Sequence, residues 1–151
     1  MKARTDVILV VDDDPTTCAL TTTLLEREGY RTAYCTTGKE ALELVATKPI
    51  ALVLLDIVMP GMDGFEVCSR LRATDKGKQL PIILLTGRND VDTRLEGIQS
   101  GVSEFLAKPV TRHELLARVG AQLHILDLTR QLEQIERNLK QAGGASAPAP
   151  R

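Results

Sequence analysis

Neither sign of charge dominates this chain: 19 Lys and Arg stand against 20 Asp and Glu. That balance leaves no electrostatic footprint for nucleic acid or for an acidic membrane surface. Cysteine is scarce. Cys18, Cys35 and Cys68 are odd in number and irregular in spacing, so they form no metal-binding pattern. They read as small buried apolar residues of a protein held in a reducing compartment. No apolar run is long enough to cross a bilayer, and no signal-peptide segment opens the sequence. A cytoplasmic protein without membrane insertion is therefore expected. No internal repeat is visible. The 151 residues, 43% of them hydrophobic, suit one domain with a single core and an appendage.

What the chain does have is a series of short apolar runs that end in reactive groups. Val7-Ile-Leu-Val-Val11 ends in Asp12-Asp13. Ile50-Ala-Leu-Val-Leu-Leu55 ends in Asp56. Ile82-Ile-Leu-Leu85 ends in Thr86, and Phe105-Leu-Ala107 ends in Lys108-Pro109. If these runs are parallel strands of one sheet, their end groups meet at its carboxyl edge, where open α/β sheets bind ligands. Arg31–Thr36 supplies a further short strand.

Helix-like segments fill the intervals. Asp14-Pro15 reads as an N-cap followed by proline at the first helical position, with the helix stopped at Gly29. Lys39–Lys48 is amphipathic, with Leu42, Val45 and Ala46 on one face. Asp63-Gly-Phe-Glu66 and Thr111-Arg-His-Glu114 have capping-box spacing and open two further helices. Asp90 is expected to cap another, ending near Gly101. Five strand-then-helix units imply a parallel sheet with right-handed crossovers and helices on both faces.

The last helix continues further than a compact domain needs. Leu115, Leu116, Val119 and Leu123 form a docking face. Beyond them Ile125, Leu128, Leu132, Ile135 and Leu139 recur at alternating spacings of three and four, a short heptad seam. The expected organisation is a domain over 1–123, a helical extension over 124–141 that either forms a short coiled coil or stays solvated, and a flexible tail over 142–151.

Asp12, Asp13 and Asp56 would place three carboxylates near one point. In a cleft of low dielectric their repulsion costs several kcal/mol unless a cation intervenes. Mg²⁺ suits oxygen ligands of this kind and keeps several waters. Lys108 adds a positive charge that could hold a phosphate oxygen, and Thr86 adds a neutral donor. Nucleophile, metal, cation and donor are the parts that phosphoryl transfer uses. Each has a plainer role too. Thr86 taken alone is a loop hydroxyl, and Lys108 taken alone is a solvated lysine. Asp14, Asp63 and Asp90 read as helix caps, and His113 and His124 as surface or packing residues.

The segments Ile8-Leu-Val-Val-Asp-Asp-Asp-Pro15, Leu54-Leu-Asp-Ile-Val-Met-Pro-Gly-Met-Asp-Gly64, Ile82-Ile-Leu-Leu-Thr-Gly87 and Phe105-Leu-Ala-Lys-Pro109 resemble the receiver domain of two-component response regulators. The resemblance covers about Asp6 to Leu123. It implies a flavodoxin-like, doubly wound five-stranded parallel sheet in order 2-1-3-4-5 with five helices. It implies that Asp56 accepts a phosphoryl group from a histidine kinase or histidine phosphotransfer protein. Asp13, Asp56 and the backbone carbonyl of Val58 would bind Mg²⁺ directly, with Asp12 acting mainly through water. Lys108 would contact the phosphoryl group, and its bond to Pro109 would be cis. Thr86 and Phe105 would form the switch, remodelling the surface of the fourth helix, fifth strand and fifth helix. Such a protein is a phosphoacceptor that assists its own phosphorylation and dephosphorylation, not an enzyme on a separate substrate. Its partners would be the kinase, a downstream effector, and a second copy through the last helix or the switch surface. Gly87 stands where alanine is frequent, Phe105 lacks a tyrosine's hydroxyl, and Val58 and Arg88 should flank the entrance to the site.

Two other readings fit part of the sequence. Asp12-Asp13-Asp14-Pro15-Thr16 matches the Asp-x-Asp-x-Thr motif of haloacid-dehalogenase-type phosphatases, with Asp12 as nucleophile and Asp14 as acid/base. That reading leaves Asp56 without a role and lacks an acidic pair after Lys108. A receiver cut from a longer regulator, such as a diguanylate cyclase or hybrid kinase, is the other. No output domain is expected within the residues after Leu123.

Overall fold

The structure is a computed structural model that describes residues 7–87 and 91–146. Its elements run β1 (Val7–Val11), α1 (Pro15–Arg27), β2 (Arg31–Cys35), α2 (Gly38–Thr47), β3 (Ile50–Asp56), α3 (Gly64–Arg72), β4 (Ile82–Thr86), α4 (Val91–Ser100), β5 (Glu104–Ala107) and α5 (Arg112–Ser146). All strand pairs are parallel, in the order β2-β1-β3-β4-β5. This is the doubly wound sheet expected from alternating strand and helix patterns.

Every residue of β3 and β4 is buried, as central strands covered on both faces require. Strand alternation divides the core into two layers. Leu9, Val11, Val53, Leu55, Ile82 and Leu84 face α2 and α3. Ile8, Val10, Leu54, Ile83, Leu85 and Leu106 face the other way, against Cys18 and Leu25 of α1 and Leu115, Val119 and Leu123 of α5. One irregularity interrupts the pattern. Val7 pairs with Ile50 but Ile8 pairs with Leu52, so Ala51 is skipped. Ala51 and Leu52 therefore both lie in the α1–α5 layer.

Local capping chemistry sets most helix starts. Asp14 accepts from the Thr16 amide at 3.1 Å, Thr37 from Glu40 at 3.1 Å, Asp63 from Glu66 at 2.9 Å, and Thr111 from Glu114 at 3.1 Å. Each such cap stabilises its helix by about 1 kcal/mol. Glu66 does not complete its capping box; its carboxylate pairs instead with Arg70 one turn on, at 2.8 Å. Gly29 ends α1 with φ +91°. The expected cap Asp90 lies outside the described residues, as does Arg88. Helix α5 runs on through Gly143 to Ser146, into the segment expected as tail. All three cysteines are buried and unpaired by disulfides. No helix among the described residues is long and apolar enough to cross a membrane.

Candidate phosphoacceptor site

The parallel sheet delivers Asp12, Asp56, Thr86 and Lys108 to one edge because each follows or ends a strand that points the same way. Backbone bonds fix the strand ends. The Asp12 amide donates to Cys35 O at 3.2 Å, the Ile57 amide to Leu85 O at 3.3 Å, and the Lys108 amide to Thr86 O at 2.7 Å. Lys108–Pro109 is cis.

Carboxylate oxygens of Asp12, Asp13 and Asp56 lie within 4.8 Å of one another. Asp12 and Asp56 are buried, while Asp13 is exposed. Lys108 Nζ donates to Asp56 Oδ1 at 3.1 Å and sits 4.0 Å from Asp12 Oδ2. Burial pushes the Asp12 carboxyl above its ordinary range, and the charges of Asp56 and Asp13 add to that. The Asp14 amide, which donates to Asp12 Oδ1 at 2.9 Å, and the Lys108 ammonium oppose it. Among the described residues, the Lys108 ammonium lies within 4.0 Å of two of the three carboxylates, those of Asp12 and Asp56. This donor set, all oxygen and net negative, fits a hard divalent cation such as Mg²⁺.

The turn after Asp56 folds back on itself. The Gly64 amide donates to Ile57 O at 2.8 Å, and a Cβ on Gly64 would stand 2.5 Å from Asp56 O. Only glycine permits that approach. Val58, in the same turn, exposes 73% of its surface.

Thr86 is buried at the end of β4, and Phe105 is half-buried in β5 beside Leu84. The Phe105 ring lies directly over Gly97 of α4, where any Cβ would overlap the ring edge. Sequence reasoning missed Gly97. The available signal was a glycine inside a helical pattern, which costs about 1 kcal/mol and needs a packing reason. It also missed Cys18, whose thiol donates to Asp12 O at 3.3 Å and holds the first strand end against α1. His113 and His124 are exposed.

Asp14 is committed to capping, since its second carboxylate oxygen accepts from Thr17 Oγ1 at 3.0 Å.

Comparison with known proteins agrees with this arrangement. The response regulator receiver domain model matches residues 8–120. The chain belongs to the response regulator receiver family. It is 44% identical over 117 residues to the transcriptional regulatory protein AfsQ1 of Streptomyces coelicolor, a match covering 78% of this chain and 50% of that protein. It is 44% identical over 116 residues to the DNA-binding response regulator MtrA of Mycolicibacterium smegmatis, covering 77% and 50%. The chain thus spans about half the length of these curated relatives. Among solved structures it is similar to the receiver domain of a sensor histidine kinase from Pseudomonas aeruginosa, described with a magnesium ion coordinated in its active-site cleft. That likeness has a TM-score of 0.73 and 28% identity, covering 79% of this chain and 98% of the other. As a receiver domain, the chain is a component of two-component signalling.

Proposed function

We propose that this receiver accepts a phosphoryl group on Asp56 from a histidine kinase or histidine phosphotransfer protein, and passes the change to an effector through its α4-β5-α5 surface and the extension of α5. The observation that carries the reading is the meeting of Asp12, Asp13 and Asp56 within 4.8 Å, with Lys108 at 3.1 Å from Asp56, at the carboxyl edge of the sheet.

In the transfer, an Asp56 carboxylate oxygen forms a bond to phosphorus as the bond from phosphorus to the donor imidazole nitrogen breaks. The bonding pair leaves with the imidazole, and the product is an acyl phosphate. Asp12, Asp13, Asp56 and the Val58 carbonyl would hold Mg²⁺, with Asp12 acting mainly through water. When bound, the ion supplies positive charge against the carboxylates and the incoming phosphoryl oxygens. Lys108 releases Asp56 and turns its ammonium to a phosphoryl oxygen, a short movement for a long flexible stem. The Thr86 hydroxyl donates to another oxygen. Its movement alters the space beside Phe105, and the ring carries the change to α4 through Gly97. The same site returns the acyl phosphate to carboxylate by hydrolysis, with no separate substrate. The protein works in the cytoplasm with protein partners, without nucleic-acid contact by this domain.

Beryllofluoride with Mg²⁺ tests the site without a kinase. A bound-fluoride resonance should form in ¹⁹F NMR, vanish with chelator, and be absent in Asp56→Asn. A resonance that persists in Asp56→Asn would move the acceptor elsewhere.

A further inference from the structure

Helix α5 is apolar on two sides, and only one of them is used by its own domain. Leu115, Val119, Leu123 and Leu126 are buried against the sheet. Ile125, Leu128, Leu132, Ile135 and Leu139 are 46% to 68% exposed. At about 100° per residue the second stripe lies roughly opposite the first, so the domain that the helix docks on does not cover it. Its spacing is three, four, three, four, the repeat by which helices pair in a coiled coil. The charges support this. Asp127, Arg130, Glu133, Arg137 and Lys140 all fall at positions pointing away from the seam, and only Glu136 flanks it. In a parallel pair Glu136 would meet Gln131 of the other helix, an amide donor beside a carboxylate, and no flanking pair brings like charges together.

We infer that the α5 seam from Ile125 to Leu139 is a self-association surface whose occupant is the same seam of a second copy of this chain. A second copy supplies the matching repeat, the matching length and flanks without repulsion. The seam is about 20 Å long at 1.5 Å per residue, so the pair is short and its formation depends on concentration. The inference does not depend on Asp56 taking phosphate.

The experiment uses the whole chain. Leu132 occupies the central a position of the seam, so in a parallel pair it meets its own counterpart. Leu132→Cys should form a disulfide-linked dimer under mild oxidation, while Arg137→Cys, on the outward side, should not. The native cysteines are buried and do not compete. Sedimentation should show the unmodified chain approaching twice its 16.5 kDa mass as concentration rises. Leu132→Asp should remain at the monomer mass with its circular dichroism retained. A monomer at every concentration, equal crosslinking at both cysteines, or an undiminished dimer in Leu132→Asp would overturn the inference.

Discussion

At the residue scale, the site depends on groups whose chemistry is visible in sequence and on contacts that are not. Asp12, Asp13, Asp56, Thr86 and Lys108 were legible because each closes an apolar run with a polar group, and parallel strands bring such ends together. Gly97 was not, because its importance lies in a ring that arrives from β5. Gly97→Ala should therefore behave unlike an ordinary helix substitution. Helix propensity alone would add about 0.5–1 kcal/mol, but overpacking against the Phe105 ring costs about 1–3 kcal/mol. A net loss of about 1 kcal/mol in denaturant unfolding is expected, together with a changed α4 surface on phosphorylation. A gain in stability would show that the ring gives way freely. The cysteines yield a second prediction. Burial, reinforced by Asp12, pushes the Cys18 thiol up to about 11, and burial, reinforced by Glu40, pushes Cys35 up to about 12, from 9.0. The folded state then keeps protons that the unfolded state releases. Their contribution to stability is full below about pH 9 and is lost as pH rises toward 11 and 12. Unfolding midpoints of Cys35→Ala should fall less steeply above pH 9 than those of the parent; identical slopes would refute the assignment.

At the scale of elements, caps and stops were the most readable features. Asp14, Asp63 and Thr111 cap as their spacing suggests, because capping is local chemistry between residues three apart or fewer. The α3–β4 connection was not readable. Its organiser is Arg72, whose guanidinium donates to Gly101 O at 2.7 Å, Gly77 O at 2.7 Å, Leu80 O at 2.5 Å and Ser103 Oγ at 3.1 Å. Partners up to 31 residues away leave no periodic trace. Arg72 ties the far end of the sheet, away from the acidic cluster. Arg72→Lys keeps the charge but loses the planar fork. It should cost about 2 kcal/mol of stability in urea, while beryllofluoride binding at Asp56 is unchanged. Weakened binding in the folded variant would connect the two ends of the sheet.

At the scale of the molecule, the strand order followed from five alternating units and one resemblance, while the skip at Ala51 did not. An all-apolar strand carries no alternation to reveal a shifted register. The same scale joins the two halves of the account. On the proposed function, a charge change at Asp56 would act on α4 through Phe105 and Gly97, in the α2–α3 layer, while α5 leads from the opposite layer of the domain to an exposed seam. Among the described residues, three carboxylates gather at the site around the Lys108 ammonium, so phosphorylation should require a divalent cation and fail in chelator. The most direct measurement is mass-spectrometric mapping of the chain after acetyl phosphate treatment. The account predicts a single phosphoryl increment on the peptide containing Asp56, formed only with Mg²⁺ and absent from Asp56→Asn. An increment that survives that substitution, or maps to Asp12, would contradict it.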